Sequence, residues 1–118
     1  MSANKEIKFS SNWNNKLYCN IFGTIRFGEC FHKEGDQVSI LLRKDGAFVN
    51  TGEGLIIHLY KDVPFQHLRW YLPIDTGYSL MESEKLYKQF NCNKEITDDT
   101  PANVIVIQRL DKIILSRL

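Results

Sequence analysis

The chain reads as an α+β protein in which a curved antiparallel or mixed sheet is curled into a barrel and two or three short helices are grouped together. Three observations predict this. Short alternating apolar segments recur through the first sixty residues. A Lys44-Asp45-Gly46 hairpin signal joins two of them. The helical patterns fall together between the early strands and one last apolar strand, whereas a doubly wound sheet would alternate helix with strand.

The elements follow in order. Glu6 to Ser10 predicts a strand, with Ile7 and Phe9 on one face. The capping-rich stretch Ser10 to Leu17 predicts a turn and a short helix, with Trp13 and Leu17 on one side. Gly23 to Phe27 predicts a strand that directs Ile25 to one face and Thr24 and Arg26 to the other. After the Gly35-Asp36 turn, Gln37 to Arg43 forms a strand with Val38, Ile40 and Leu42 in register.

The return strand begins at Ala47, bends near Gly52 and Gly54, and continues from Leu55 to Tyr60. Pro64 opens a short helix that Pro73 ends. Ser79 and Glu82 form a capping box for a helix from Leu80 to about Phe90, which turns Leu86, Tyr87 and Phe90 inward. Asn103 to Leu110 is apolar enough for a central strand buried on both faces, and Ile113 to Leu115 could add an edge.

Bulk properties narrow the classes. A length of 118 residues predicts one domain, residues 1–118. The net charge of +1 lacks the basic excess of a general duplex-DNA binder. Cys19, Cys30 and Cys92 are widely spaced and predict reduced thiols, with no zinc or redox motif. His32, His58 and His67 show no metal-ligand spacing, so neither a metal nor another cofactor is expected. No run is long and apolar enough for a membrane helix, and the polar start Met1 to Glu6 lacks a signal-peptide core, so no membrane partner and a cytoplasmic location are expected. Oligomeric state is left open.

Three groups of residues could carry function. Thr24 and Arg26 share a strand face, where the guanidinium fork suits a phosphate, a carboxylate or a base edge. Alternatively, Arg26 is a structural ion-pair partner. Asp75 lies in Pro73-Ile-Asp-Thr-Gly-Tyr-Ser79, read as a loop between helices, and could equally be an ordinary turn acid. Its Asp-Thr-Gly has no second copy, which argues against an aspartic protease. Among the aromatics, most of which should be core, Trp13 and Tyr78 sit in polar surroundings and are the better candidates for an exposed stacking platform.

The order Phe22-Gly-Thr-Ile-Arg26, then Lys33-Glu-Gly-Asp36-Gln-Val38, a long hairpin, helices carrying an acid, and a terminal apolar strand resembles the ASCH family of PUA-like barrels, over about residues 5–110. The resemblance implies a barrel with a cleft and RNA or a modified nucleoside as ligand. Some compact members are amidohydrolases that remove the acyl group from N4-acetylcytidine, using a lysine, the strand threonine and an acid. Carried over, Thr24 is the threonine and Arg26 the following arginine. Asp75 best matches the acid, with Glu82 and Glu84 as competitors. The lysine position holds Ile21, and Lys16 could reach the same cleft from the preceding turn.

The resulting expectation is an RNA- or nucleobase-binding module using Trp13, Lys16, Thr24, Arg26, Asp75 and Tyr78. One alternative is a small hydrolase with Asp75 and Thr24 catalytic. The other is a protein-interaction domain with an apolar patch around Trp70-Tyr-Leu72.

Overall fold

The computed structural model describes residues 5–90 and 96–110. Five strands form one sheet: β1 (Lys5–Phe9), β2 (Ile21–Phe27), β3 (Gln37–Lys44), β4 (Ala47–Pro64) and β5 (Pro101–Arg109). Two α-helices, α1 (Leu72–Thr76) and α2 (Leu80–Phe90), follow β4. Short 3₁₀ segments span Trp13–Tyr18 and Phe65–Leu68. The predicted mixed α+β class is what the chain adopts. Ile113 to Leu115, Cys92 and the side chain of Phe90 lie outside the described residues.

The strand order is β1-β3-β4-β5-β2. β1 runs parallel to β3, and every other pairing is antiparallel. The two edges, β1 and β2, curl towards each other until Phe9 and Phe22 meet edge to face, 5.9 Å between ring centroids. Among the described residues no ladder joins them, so the expected closed barrel is corrected to a curled, open sheet. Side chains bridge the seam where closure would need main-chain pairing at about 4.8 Å.

Period-two alternation builds two cores. The inner face carries Ile7, Phe9, Val38, Ile40, Ile56, Ile105 and Ile107, and Leu17 of the first 3₁₀ segment packs into it. The opposite face of β2 and β5 presents Ile25 and Ala102 to Phe65, Leu68, Leu72 and Tyr87 from the helices. Each such aliphatic side chain contributes about 1.5–3 kcal/mol of burial.

The hairpin signal is accurate: Asp45 and Gly46 take φ of 51° and 82°, the two left-handed residues of a tight turn. The bend expected near Gly52 is a bulge within one continuous strand, β4, where the register slips between Ile40 and Leu41. There the Thr51 hydroxyl donates to the Ile40 carbonyl at 2.9 Å. β5 is central, but only one of its faces is fully covered; Val104 and Val106 are half-buried in a groove. Pro73 does not end a helix. It lies in the first turn of α1, where no N–H is required of it.

Candidate functional site

Thr24 and Arg26 lie on the inner face of β2, as alternation requires. The Arg26 guanidinium rests over the Phe9 ring, 4.7 Å from its centroid, and its Nε donates to Thr24 Oγ1 at 3.2 Å. Phe9 thus fixes the fork from below while Thr24 fixes it from the side.

Lys16 comes from the first 3₁₀ segment. That segment is locked to the sheet by Arg109, whose Nε donates to the Leu17 carbonyl at 2.8 Å. Asn12 Oδ1 accepts from the Leu17 N–H at 2.9 Å and completes the anchor. Lys16 is only 8% exposed. Its ammonium donates to Asp75 Oδ1 at 2.5 Å and to the Gly23 carbonyl at 3.1 Å.

Asp75 sits on helix α1 rather than on the expected loop. Gly77, with φ of 79°, ends the helix immediately after Thr76. The Thr76 hydroxyl hydrogen-bonds Ser83 Oγ at 2.7 Å and ties α1 to α2. Asp75 is 3% exposed. Tyr87 of α2 donates to its second oxygen, so both carboxylate oxygens are engaged.

Burial pushes the Lys16 amine below its ordinary value; the Asp75 carboxylate opposes that and the nearby Arg26 charge adds to it. Burial likewise lowers the Arg26 guanidinium, against the pull of Asp75. Tyr87 is pushed upward by burial, then by the Asp75 charge and hydrogen bond. Tyr71, nearby, is pushed up to about 12 by burial and by Asp75.

These groups surround two hollows. A polar cavity of about 330 Å³ lies in the seam between the sheet edges, bounded by Lys8 to Ser11, by Thr24 to Phe27, and by Lys16, Asp75 and Tyr87. A larger, mainly apolar groove of about 710 Å³ lies between the outer sheet face and the helices, with Gly23, Val106, Tyr71 and Trp70 among its walls. Lys16 and Asp75 border both hollows.

Four of the expected residues therefore converge: Lys16, Thr24, Arg26 and Asp75. Tyr78 does not join them; it is 50% exposed and lines neither hollow. The side chain of Trp13 lies outside the described residues. Ile21 is 55% exposed on the groove side, because it is three residues from Thr24 and alternation sends the two to opposite faces. Glu82 is exposed and Glu84 pairs with Arg69 at 3.1 Å, which leaves Asp75 as the acid at the cavity.

Sequence reasoning placed Tyr87 inward but gave its hydroxyl no role. The usable signal was chemical: a buried tyrosine needs a partner for its O–H. The role of Phe9 beneath Arg26 had no sequence signal, because it depends on the two sheet edges meeting.

The expected patch at Trp70-Tyr-Leu72 is divided. Trp70 is 71% exposed, whereas Leu72 is fully buried in the core. Among the described residues, no group of three His, Cys, Asp or Glu side chains is placed to hold a metal ion. No helix among them is long and apolar enough to cross a membrane. In comparisons with known proteins, no family model, curated protein or solved structure matches the chain.

Proposed function

We propose that the seam cavity binds a nucleobase, free as a modified nucleoside or unstacked from single-stranded RNA. The supporting observation is the convergence of Lys16, Thr24, Arg26 and Asp75 on one hollow of about 330 Å³. That volume is at the small-ligand end of binding pockets, about 300–1,000 Å³. Arg26 uses Nε on Thr24, and among the described residues its two terminal nitrogens make no hydrogen bond, so the fork can meet ligand acceptors. The likeness to the ASCH motif order favours the same ligand class.

Titration by NMR with cytidine, N4-acetylcytidine and a short single-stranded RNA tests this reading. Arg26→Lys, which keeps the charge and loses the fork, is expected to weaken binding at least tenfold, or about 1.4 kcal/mol. Absence of binding by all three ligands at low salt would overturn the proposal.

A second reading, hydrolysis of an N4-acylated cytidine, is favoured by one specific observation. The amine missing at Ile21 is supplied by Lys16, which lies against Asp75 at 2.5 Å beside the cavity. Burial shifts that amine towards its neutral, nucleophilic form. Thr24 and Arg26 are near enough to each other to stabilise a developing oxyanion together. Water and N4-acetylcytidine would give cytidine and acetate. Chromatography after prolonged incubation separates the readings: binding without cytidine release leaves the binding module alone. If release occurs, Lys16→Met and Asp75→Asn should each abolish it.

A further inference from the structure

The ligand is read by the main chain of β2 as well as by side chains: we infer that the N–H and C=O of Ile25 form a donor–acceptor pair that selects a heterocycle with the complementary edge. This inference rests on the nucleobase reading of the seam cavity and names the edge of the base that enters it.

The register fixes which way the main-chain groups of β2 point. In an antiparallel pair, alternate residues exchange both of their hydrogen bonds with the partner strand, and the residues between them turn both groups outward. The Arg109 N–H donates to the Asn20 carbonyl at 2.7 Å, so position 20 faces β5. Phe22, Thr24 and Arg26 share that parity. Gly23, Ile25 and Phe27 therefore turn their N–H and C=O away from β5. Gly23 confirms the direction, because its carbonyl accepts from Lys16 at 3.1 Å and not from β5.

β2 is an edge strand, and among the described residues no strand pairs with its outer side. The outward groups of Ile25 therefore open onto the seam. Ile25 borders the polar cavity although its side chain is buried in the helix-covered core on the other face of the sheet. It reaches the cavity through its main chain. An unpaired amide and carbonyl beside a cavity are costly unless water or a ligand satisfies them.

The shape of the hollow favours a ring over an extended peptide. The end of β1, from Lys8 to Ser11, walls one side, and Asp75 with Tyr87 limits the other. A pyrimidine presenting an acceptor next to a donor, as at the N3 and N4 positions of cytosine or the N3 and O4 positions of uracil, satisfies both groups of Ile25. The Arg26 fork then meets the remaining acceptor.

The test uses the whole protein with cytidine, uridine and their 3-methyl derivatives, in which that edge is blocked. Affinities are measured by calorimetry, and the Ile25 amide is followed by ¹H–¹⁵N NMR. The expected result is at least tenfold weaker binding of the 3-methyl nucleosides, together with a downfield shift and slowed exchange of the Ile25 N–H on adding the unblocked ones. Equal affinity for blocked and unblocked nucleosides, or an Ile25 amide that does not respond, overturns the inference and leaves the pocket reading standing. Failure of every nucleoside and of a short single-stranded RNA to bind overturns both.

Discussion

At the scale of single residues, the site depends on a buried charge pair. Lys16 and Asp75 carry opposite charges out of water, and their geometry compensates: one oxygen of Asp75 accepts from Lys16, the other from Tyr87. Removing one partner strands the other. Asp75→Asn is expected to lower stability by about 3–5 kcal/mol, measured by urea denaturation. Lys16→Met combined with Asp75→Asn should recover more than half of that loss, because no buried ammonium is then left unpaired. If the double variant is no more stable than the single one, the pair is not the source of the cost. A smaller effect attaches to Gly23, where an added Cβ would meet the Tyr71 hydroxyl. Gly23→Ala should cost about 1 kcal/mol, and Tyr71→Phe in the same chain should relieve it, since only the far end of that side chain obstructs.

At the scale of elements, close strand packing decides where glycine is needed. A Cβ at Gly54 would lie 3.1 Å from Ile40 Cδ1 and 3.4 Å from the Gln108 carbonyl, and would collide with Ile107 Cγ2. These neighbours lie in the interior and cannot swing aside. Gly54→Ala is therefore expected to destabilise by about 1–3 kcal/mol in equilibrium unfolding, more than Gly23→Ala. The helices illustrate how local signals are reassigned by context. Ser79 does cap α2, accepting from the Glu82 N–H at 3.3 Å. Pro73, read as a helix stop, is a helix start, because its sequence signature is the same at either boundary and only the path of the chain separates them.

At the scale of the whole molecule, pH reports on the buried groups. The hydroxyl of Tyr71 is raised from 10.0 to about 12. A tyrosine held neutral in the folded chain ionises first in the unfolded one, so stability is full below pH 10 and falls as pH rises towards 12. Tyr87, also raised, adds to the loss. Lys16 has the opposite sign: its lowered value makes stability rise with pH until the unfolded lysine titrates at 10.5. Denaturation midpoints measured from pH 8 to 11.5 should fall above pH 10, and Tyr71→Phe should flatten that fall. An unchanged slope in the variant would show that Tyr71 is not held neutral.

The sequence by itself determined the strands, the hairpin turn, the capped helix and the sidedness of Thr24 and Arg26, because each follows from a local period or a local turn chemistry. It also supplied the four polar residues that meet at the cavity. Only the tertiary structure decided that Lys16 pairs with Asp75 beside the cavity, that Tyr87 completes the carboxylate's bonds, and that the sheet curls without closing. Those outcomes depend on the distance between β1 and β2 and on the seating of α1 against the first 3₁₀ segment. Such distances are set by how side chains far apart in the chain fill space together, and no local pattern encodes them.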